Sequence, residues 1–151
     1  MNNLKIQYEG YFYRKEKVAL EKAKLEYLKH FEISRNFIFF LHSVSEKKSQ
    51  ELNMKFFKKD SAADVLTIPL YENIDEIKKL DKNKTEILGD LFVNRNLIKN
   101  NALMYKKTLI EELQLVLIHG LLHLVGFSHE NEDRLKKIEN EILDKVWKDA
   151  K

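Results

Sequence analysis

The strongest chemical signal in the chain is three histidines in the segment His119-Gly-Leu-Leu-His123-Leu-Val-Gly126-Phe-Ser-His129. On a helix, positions i and i+4 share a face, with Cβ atoms about 5–6 Å apart. The imidazoles of His119 and His123 can therefore converge on one ion at about 2.0–2.1 Å per bond, the ordinary zinc–nitrogen length. Gly126 lets the backbone take a positive φ and double back, which brings His129 toward the same point. Three neutral imidazoles leave one tetrahedral position open, the arrangement of a catalytic rather than a structural zinc site. Leu115 to Ile118, Leu121, Leu122, Leu124 and Val125 make this helix apolar almost all round, so it is read as buried. Unpartnered imidazoles there would cost about 1–3 kcal/mol each, a penalty that a shared metal removes. His30 and His42 stand alone and are read as hydrogen-bonded core residues.

The rest of the chain must position that trio. Its 151 residues suit one domain, 1–151, with a core of useful size. At 44% hydrophobic and 34% charged it falls in the globular class. A net charge of +3 permits an acidic partner without demanding one. Without cysteine there is no disulfide framework, thiolate metal site or Cys nucleophile. No apolar run reaches the roughly 18 residues of a membrane span. No apolar stretch follows a basic start at the N-terminus, so a cytoplasmic location is the expectation.

Apolar spacing predicts an amphipathic helix over Tyr11–Glu32, with Phe12, Val18, Leu20, Leu25, Leu28 and Phe31 as its inner positions. Phe37–Leu41 reads as a buried strand. Ser45 caps a helix carrying Leu52, Phe56 and Phe57. Asp64–Pro69 reads as a strand whose proline belongs at its end or on an edge. Tyr71–Lys84 lacks apolar periodicity and reads as a mobile surface loop. Leu88–Val93 is a third strand, Leu4–Tyr8 a fourth, and Arg95–Met104 a short helix. Thr108 and Glu111 form a capping box for a helix over Leu109–Val125, ended by Gly126. A last amphipathic helix over Glu130–Lys148 buries Leu135, Ile138, Ile142, Leu143 and Val146. The class is α+β: a small mixed sheet of about four strands packed with helices, the metal-bearing one in the C-terminal half.

The ligand spacing equals that of the metzincin peptidases, H-E-x-x-H-x-x-G-x-x-H, whose glutamate is the general base. Here that position is Gly120, which has no proton acceptor. The segment resembles more fully the histidine motif H-G-x-L-H-L-x-G-Y-D-H of the YbeY-type endoribonucleases, bacterial ribosomal RNA maturation factors. That family's block L-N-x-x-Y-R-x-x-D-x-x-T-D-V-L-S-F-P is similar to Leu52-Asn53 through Asp60 to Asp64-Val-Leu-Thr-Ile-Pro69, and its L-G-D-I strand to Leu88-Gly89-Asp90-Leu91.

The resemblance runs from about Phe37 to Leu143 and implies a zincin-like fold. It further implies one Zn2+ per chain on His119, His123 and His129, and cleavage of single-stranded RNA. The implied setting is the 3′ end of small-subunit ribosomal RNA, with the ribosome small subunit as partner, and ribosome quality control. A family arginine that contacts phosphate falls on Phe57, which cannot make that contact. The Tyr and Asp before the third histidine are Phe127 and Ser128. Lys58, beside Phe57, is a candidate replacement, and Lys55, Lys58 and Lys59 are candidates for holding RNA by salt-sensitive attraction. Lys47, Lys48, Lys106 and Lys107 extend this basic surface, and Asp90 is read as structural. Two other readings stay open: a small zinc metallopeptidase, and a non-catalytic ribosome-associated zinc protein.

Overall fold

The computed structural model describes residues 3–31, 36–81 and 83–148, leaving aside the side chains of Asn3, Ile74 and His129. Four strands, β1 (Asn3–Glu9), β2 (Asn36–Val44), β3 (Val65–Pro69) and β4 (Glu86–Asn94), form one sheet in the order β1-β2-β4-β3. β1, β2 and β4 are parallel, and β3 runs antiparallel along the outer side of β4. This is the expected mixed sheet. Pro69 ends β3, where its missing N–H costs no ladder bond.

Helices α1 (Arg14–Phe31), α2 (Glu46–Phe57), α3 (Ile74–Lys78), α4 (Arg95–Met104), α5 (Leu109–Leu124) and α6 (Glu132–Trp147) complete the fold. Glu32, at the end of the first expected helix, lies outside the described residues. α5 is the central helix and touches α1, α4, α6, β3 and β4. It starts at the expected capping box: Thr108 Oγ1 accepts from Glu111 N at 3.1 Å, and Glu111 Oε1 accepts from Thr108 N at 2.9 Å. Two such bonds satisfy donors that the first turn of a helix otherwise leaves open.

The burial pattern corrects three readings of the sequence. Val18 and Leu25 face solvent; α1 buries Glu16, Leu20, Ala23, Lys24 and Tyr27 instead. Glu16 is fully buried because Arg95 grips both of its carboxylate oxygens and Tyr13 N donates to it. A polar residue can thus occupy the inner face when a guanidinium fork reaches it from another element. α2 likewise exposes Phe56 and Phe57 and buries Ser49, Leu52 and Asn53. Ser49 Oγ bonds both Ala63 N and Ala63 O at 3.0 Å, and Asn53 Nδ2 donates to Ser61 O at 2.8 Å. These bonds tie the segment between α2 and β3 against the helix.

The third correction concerns Tyr71–Lys84. It contains α3, capped by Asn73 Oδ1 accepting from Glu76 N at 2.9 Å, and Ile77 is buried in the main core. A five-residue helix is too short to show a period in the sequence. Its packing, not its propensity, holds it.

Candidate metal centre and cleft

α5 presents His119 and His123 on one face, with ring centroids 4.6 Å apart and planes at 71°. Each ring is oriented through its Nδ1. His119 Nδ1 donates to Glu139 Oε1 at 2.9 Å, and Glu139 sits on α6 with its carboxylate buried. His123 Nδ1 donates to the backbone carbonyl of Phe127 at 2.7 Å. Both oxygens only accept, so each neutral ring carries its proton on Nδ1 and keeps Nε2 as its acceptor. The two Nε2 atoms stand 3.1 Å apart. Two nitrogens bound tetrahedrally to one zinc at about 2.0–2.1 Å are separated by about 3.3 Å. The pair is therefore spaced as two donors to a single cation.

The turn after α5 has the positive φ expected at Gly126. Gly126 has φ +104°, Gly126 N donates to His123 O at 3.1 Å, and Phe127 N donates to Leu122 O at 3.1 Å. A Cβ at Gly126 would lie 2.6 Å from Asn73 Cα and 2.8 Å from Glu72 O, so glycine is required by both dihedral and space. Ser128 then opens a 3-10 turn over His129–Asn131, with Asn131 Oδ1 accepting from Ser128 N at 2.7 Å. His129 thus begins the element after the turn; its side chain lies outside the described residues. Among the described residues no group of three metal-binding side chains forms.

Gly120 faces the sheet. A Cβ there would lie 2.7 Å from Leu91 Cδ2, in the core of β4. The position that carries the general base in metzincin peptidases is here a close helix–strand contact. Elsewhere, His42 Nε2 pairs with Asp90 Oδ1 at 2.8 Å and its ring stacks on Phe92 at 4.2 Å. These two residues support each other on adjacent strands. His30 is half-buried at the end of α1, edge-on to Phe31.

His119 and His123 open into a cleft of about 530 Å3 whose far wall is β3 and the end of α2. Phe57 and Lys59 line it, whereas Lys55 and Lys58 do not. Lys58 caps α2 in the left-handed conformation at φ 59°, which takes the chain off the helix and leaves Lys59 as the cation at the cleft. Lys55 Nζ instead lies 5.3 Å over the Phe56 ring.

A second cavity of about 400 Å3 shares Asp64, Val65 and His119 with the cleft. Glu112 lines it, 3% exposed, with no hydrogen-bond partner at Oε2 among the described residues. Burial raises the Glu112 pKa; Lys107 opposes this, and the charges of Asp64 and Glu139 add to it. A carboxyl raised on folding destabilises the native state as pH climbs from the ordinary glutamate range. An orphaned buried acceptor of this kind costs about 1–3 kcal/mol. Sequence reading missed both Glu112 and Glu139, because nothing local marks either as more than a solvated helix residue.

Comparison with known proteins matches residues 8–147 to the family model Endoribonuclease YbeY. The chain belongs to the endoribonuclease YbeY family. An Endoribonuclease YbeY of Mycoplasmoides gallisepticum is 35% identical over 126 residues, 81% of this chain and 73% of that protein. The YbeY of Thermodesulfovibrio yellowstonii is 35% identical over 104 residues, 66% of this chain and 61% of the relative. That of Campylobacter jejuni is 37% identical over 102 residues, 67% and 69% of the two chains. The solution structure of TM1509 from Thermotoga maritima superposes with a TM-score of 0.64 at 27% identity, covering 97% of this chain and 91% of that one. Membership of the YbeY family agrees with the resemblance carried by the histidine segment, and the solved structure agrees with the α+β architecture. Among the described residues no helix is long and apolar enough to cross a membrane.

Proposed function

We propose that this chain is a zinc-dependent endoribonuclease that cuts single-stranded RNA, holding one zinc ion on Nε2 of His119 and His123 together with His129. The observation that carries this reading is the pair of acceptor nitrogens 3.1 Å apart, each ring fixed from behind by an oxygen. Family membership supports RNA as the substrate. The central position of α5 supports a zincin-like arrangement, in which one helix presents two ligands to a cleft beside an edge strand.

When bound, zinc supplies a Lewis acid that lowers the pKa of a water or polarises a phosphoryl oxygen. The chain's own residues do the rest. Glu139 and the Phe127 carbonyl hold the rings in the tautomer that ligation requires. Lys59 offers a point charge to a phosphate, and the half-exposed Phe57 ring offers a stacking surface to a base. Phe57 thus exchanges a phosphate contact for a base contact where the family has arginine. The biological setting proposed is maturation of the 3′ end of small-subunit ribosomal RNA and ribosome quality control in the cytoplasm, with the small subunit as partner.

The test is cleavage of an end-labelled single-stranded RNA, with a peptide substrate alongside. RNA cut in a chelator-sensitive manner supports the reading. Peptide cleavage points to a metallopeptidase, and bound zinc with intact RNA points to a non-catalytic zinc protein; either would overturn it. The orienting role of Glu139 has its own signature. Glu139→Gln keeps the shape but removes the charge behind His119, and is expected to weaken zinc binding about 10–100-fold. Competition against a chelator of known affinity measures this, and unchanged affinity would remove Glu139 from the site.

A further inference from the structure

The second cavity includes His119 and Glu139 of the centre above, but the rest of its lining plays no part in that reading. Its depth is polar. Glu112 is 3% exposed with Oε2 unpartnered among the described residues. Beside it Asp64 Oδ1 accepts from Val65 N at 2.8 Å, and Asp64 Oδ2 accepts from Asn101 Nδ2 at 3.4 Å. Its mouth carries Tyr105, 62% exposed, and the cations Lys107 and Lys136. A ligand suited to these groups has donors for a buried carboxylate, a flat ring to lie on Tyr105 and a phosphate for the lysines.

Guanine offers two adjacent donors, N1–H and N2–H2, on its Watson–Crick edge, and a carboxylate can accept both at once. Single-stranded RNA is read in this manner: bases are splayed out, stacked on aromatic rings and hydrogen-bonded on their edges. Uracil offers one ring N–H between two carbonyl oxygens, which a carboxylate would repel. A cavity of about 400 Å3 is of the size that admits a small organic ligand.

We propose that this cavity is a base-recognition pocket: Glu112 accepts from a guanine of the RNA strand, Tyr105 stacks on it, and Lys107 and Lys136 hold its phosphate. The shared wall of Asp64, Val65 and His119 sets that base beside the bond in the cleft. The pocket then confers sequence preference on a reaction whose metal centre reads no base. This inference rests on the proposed RNA cleavage.

The test is a calorimetric titration of the whole chain with the four nucleoside 5′-monophosphates. GMP is expected to bind about 10-fold more tightly than UMP, the discrimination typical of one good bidentate base contact. Glu112→Gln should bring that ratio to near unity, GMP losing affinity and UMP gaining it as the repulsion of its carbonyls is relieved, and Tyr105→Ala should weaken all four. Equal binding of the four nucleotides, no binding at millimolar concentration, or an unchanged ratio in Glu112→Gln would overturn the pocket. Thermal melting of Glu112→Gln is the second measurement. Its melting temperature should exceed that of the native chain at neutral pH, where Glu112 faces Lys107, Lys136, Asp64 and Glu139, and the gain should shrink toward pH 4.5. A lower melting temperature would show Glu112 satisfied in the free protein and would count against the pocket. The titration needs no catalysis, so the two readings fail separately. Absent RNA cleavage with intact GMP preference sinks the nuclease alone; RNA cleavage with equal nucleotide binding sinks the pocket alone.

Discussion

Replacing His123 by alanine is expected to abolish stoichiometric zinc binding and to lower RNA cleavage by about 1,000-fold or more. The magnitude follows from what is removed. A Lewis acid at a phosphoryl centre contributes several kcal/mol to the transition state, and each 1.36 kcal/mol is tenfold in rate. His123 supplies one of the two nitrogens that stand 3.1 Å apart, and its loss leaves His119 without its partner on α5. The half-buried ring makes few demands on the core, so the variant should fold, which its melting curve in chelator will check. The fall should appear in kcat with little change in KM for RNA, because the cleft wall of Phe57 and Lys59 is untouched. Cleavage within a few-fold of the native rate would end the case for a nuclease working through this centre.

Gly126→Ala is expected to cost about 2–4 kcal/mol of stability and to weaken zinc binding at the same time. Two penalties coincide at this residue. Its φ of +104° lies where a Cβ is strained, and that Cβ would sit 2.6 Å from Asn73 Cα and 2.8 Å from Glu72 O. Those neighbours are backbone atoms, so no rotamer change relieves the contact. The turn must then swing away from the 71–73 segment and carry the Phe127 carbonyl off His123 Nδ1. For a chain of this size a loss of 3 kcal/mol lowers the melting temperature by about 6–12 °C. Melting with and without zinc separates strain in the fold from damage to the centre, since a ligand that binds only the native state stabilises in proportion to its affinity. A shift below 2 °C in both conditions would mean that the turn is not needed in this form.

Features of the site that reside in neighbouring residues could be read from the chain before folding was considered. The i,i+4 histidines, the capping box of Thr108 and Glu111 and the reversal at Gly126 are all of this kind, because helix geometry and a positive φ are local properties. What could not be read is what the fold brings from afar. Glu139 reaches His119 from α6, twenty positions along the chain. Glu16 is buried on α1 only because Arg95 arrives from the start of α4, so the apolar period alone chose Val18 and Leu25 wrongly. Adjacency to Phe57 in the chain singles out Lys58, yet it is Lys59 that lines the cleft. The left-handed cap at Lys58 ends the helix there, a turn that residue adjacency does not reveal. Gly120 is the converse case: its lack of a side chain could be read as the absence of a base, but its use, a close approach to Leu91, belongs to the sheet.

X-ray absorption at the zinc edge, on the purified chain loaded with one equivalent of metal, examines the centre most directly. Three imidazole nitrogens at about 2.0–2.1 Å, marked by scattering from their rings, and a single oxygen neighbour are predicted, the signature of a tetrahedral site with one exchangeable position. Two imidazoles only, or four ligands all supplied by protein, would contradict it.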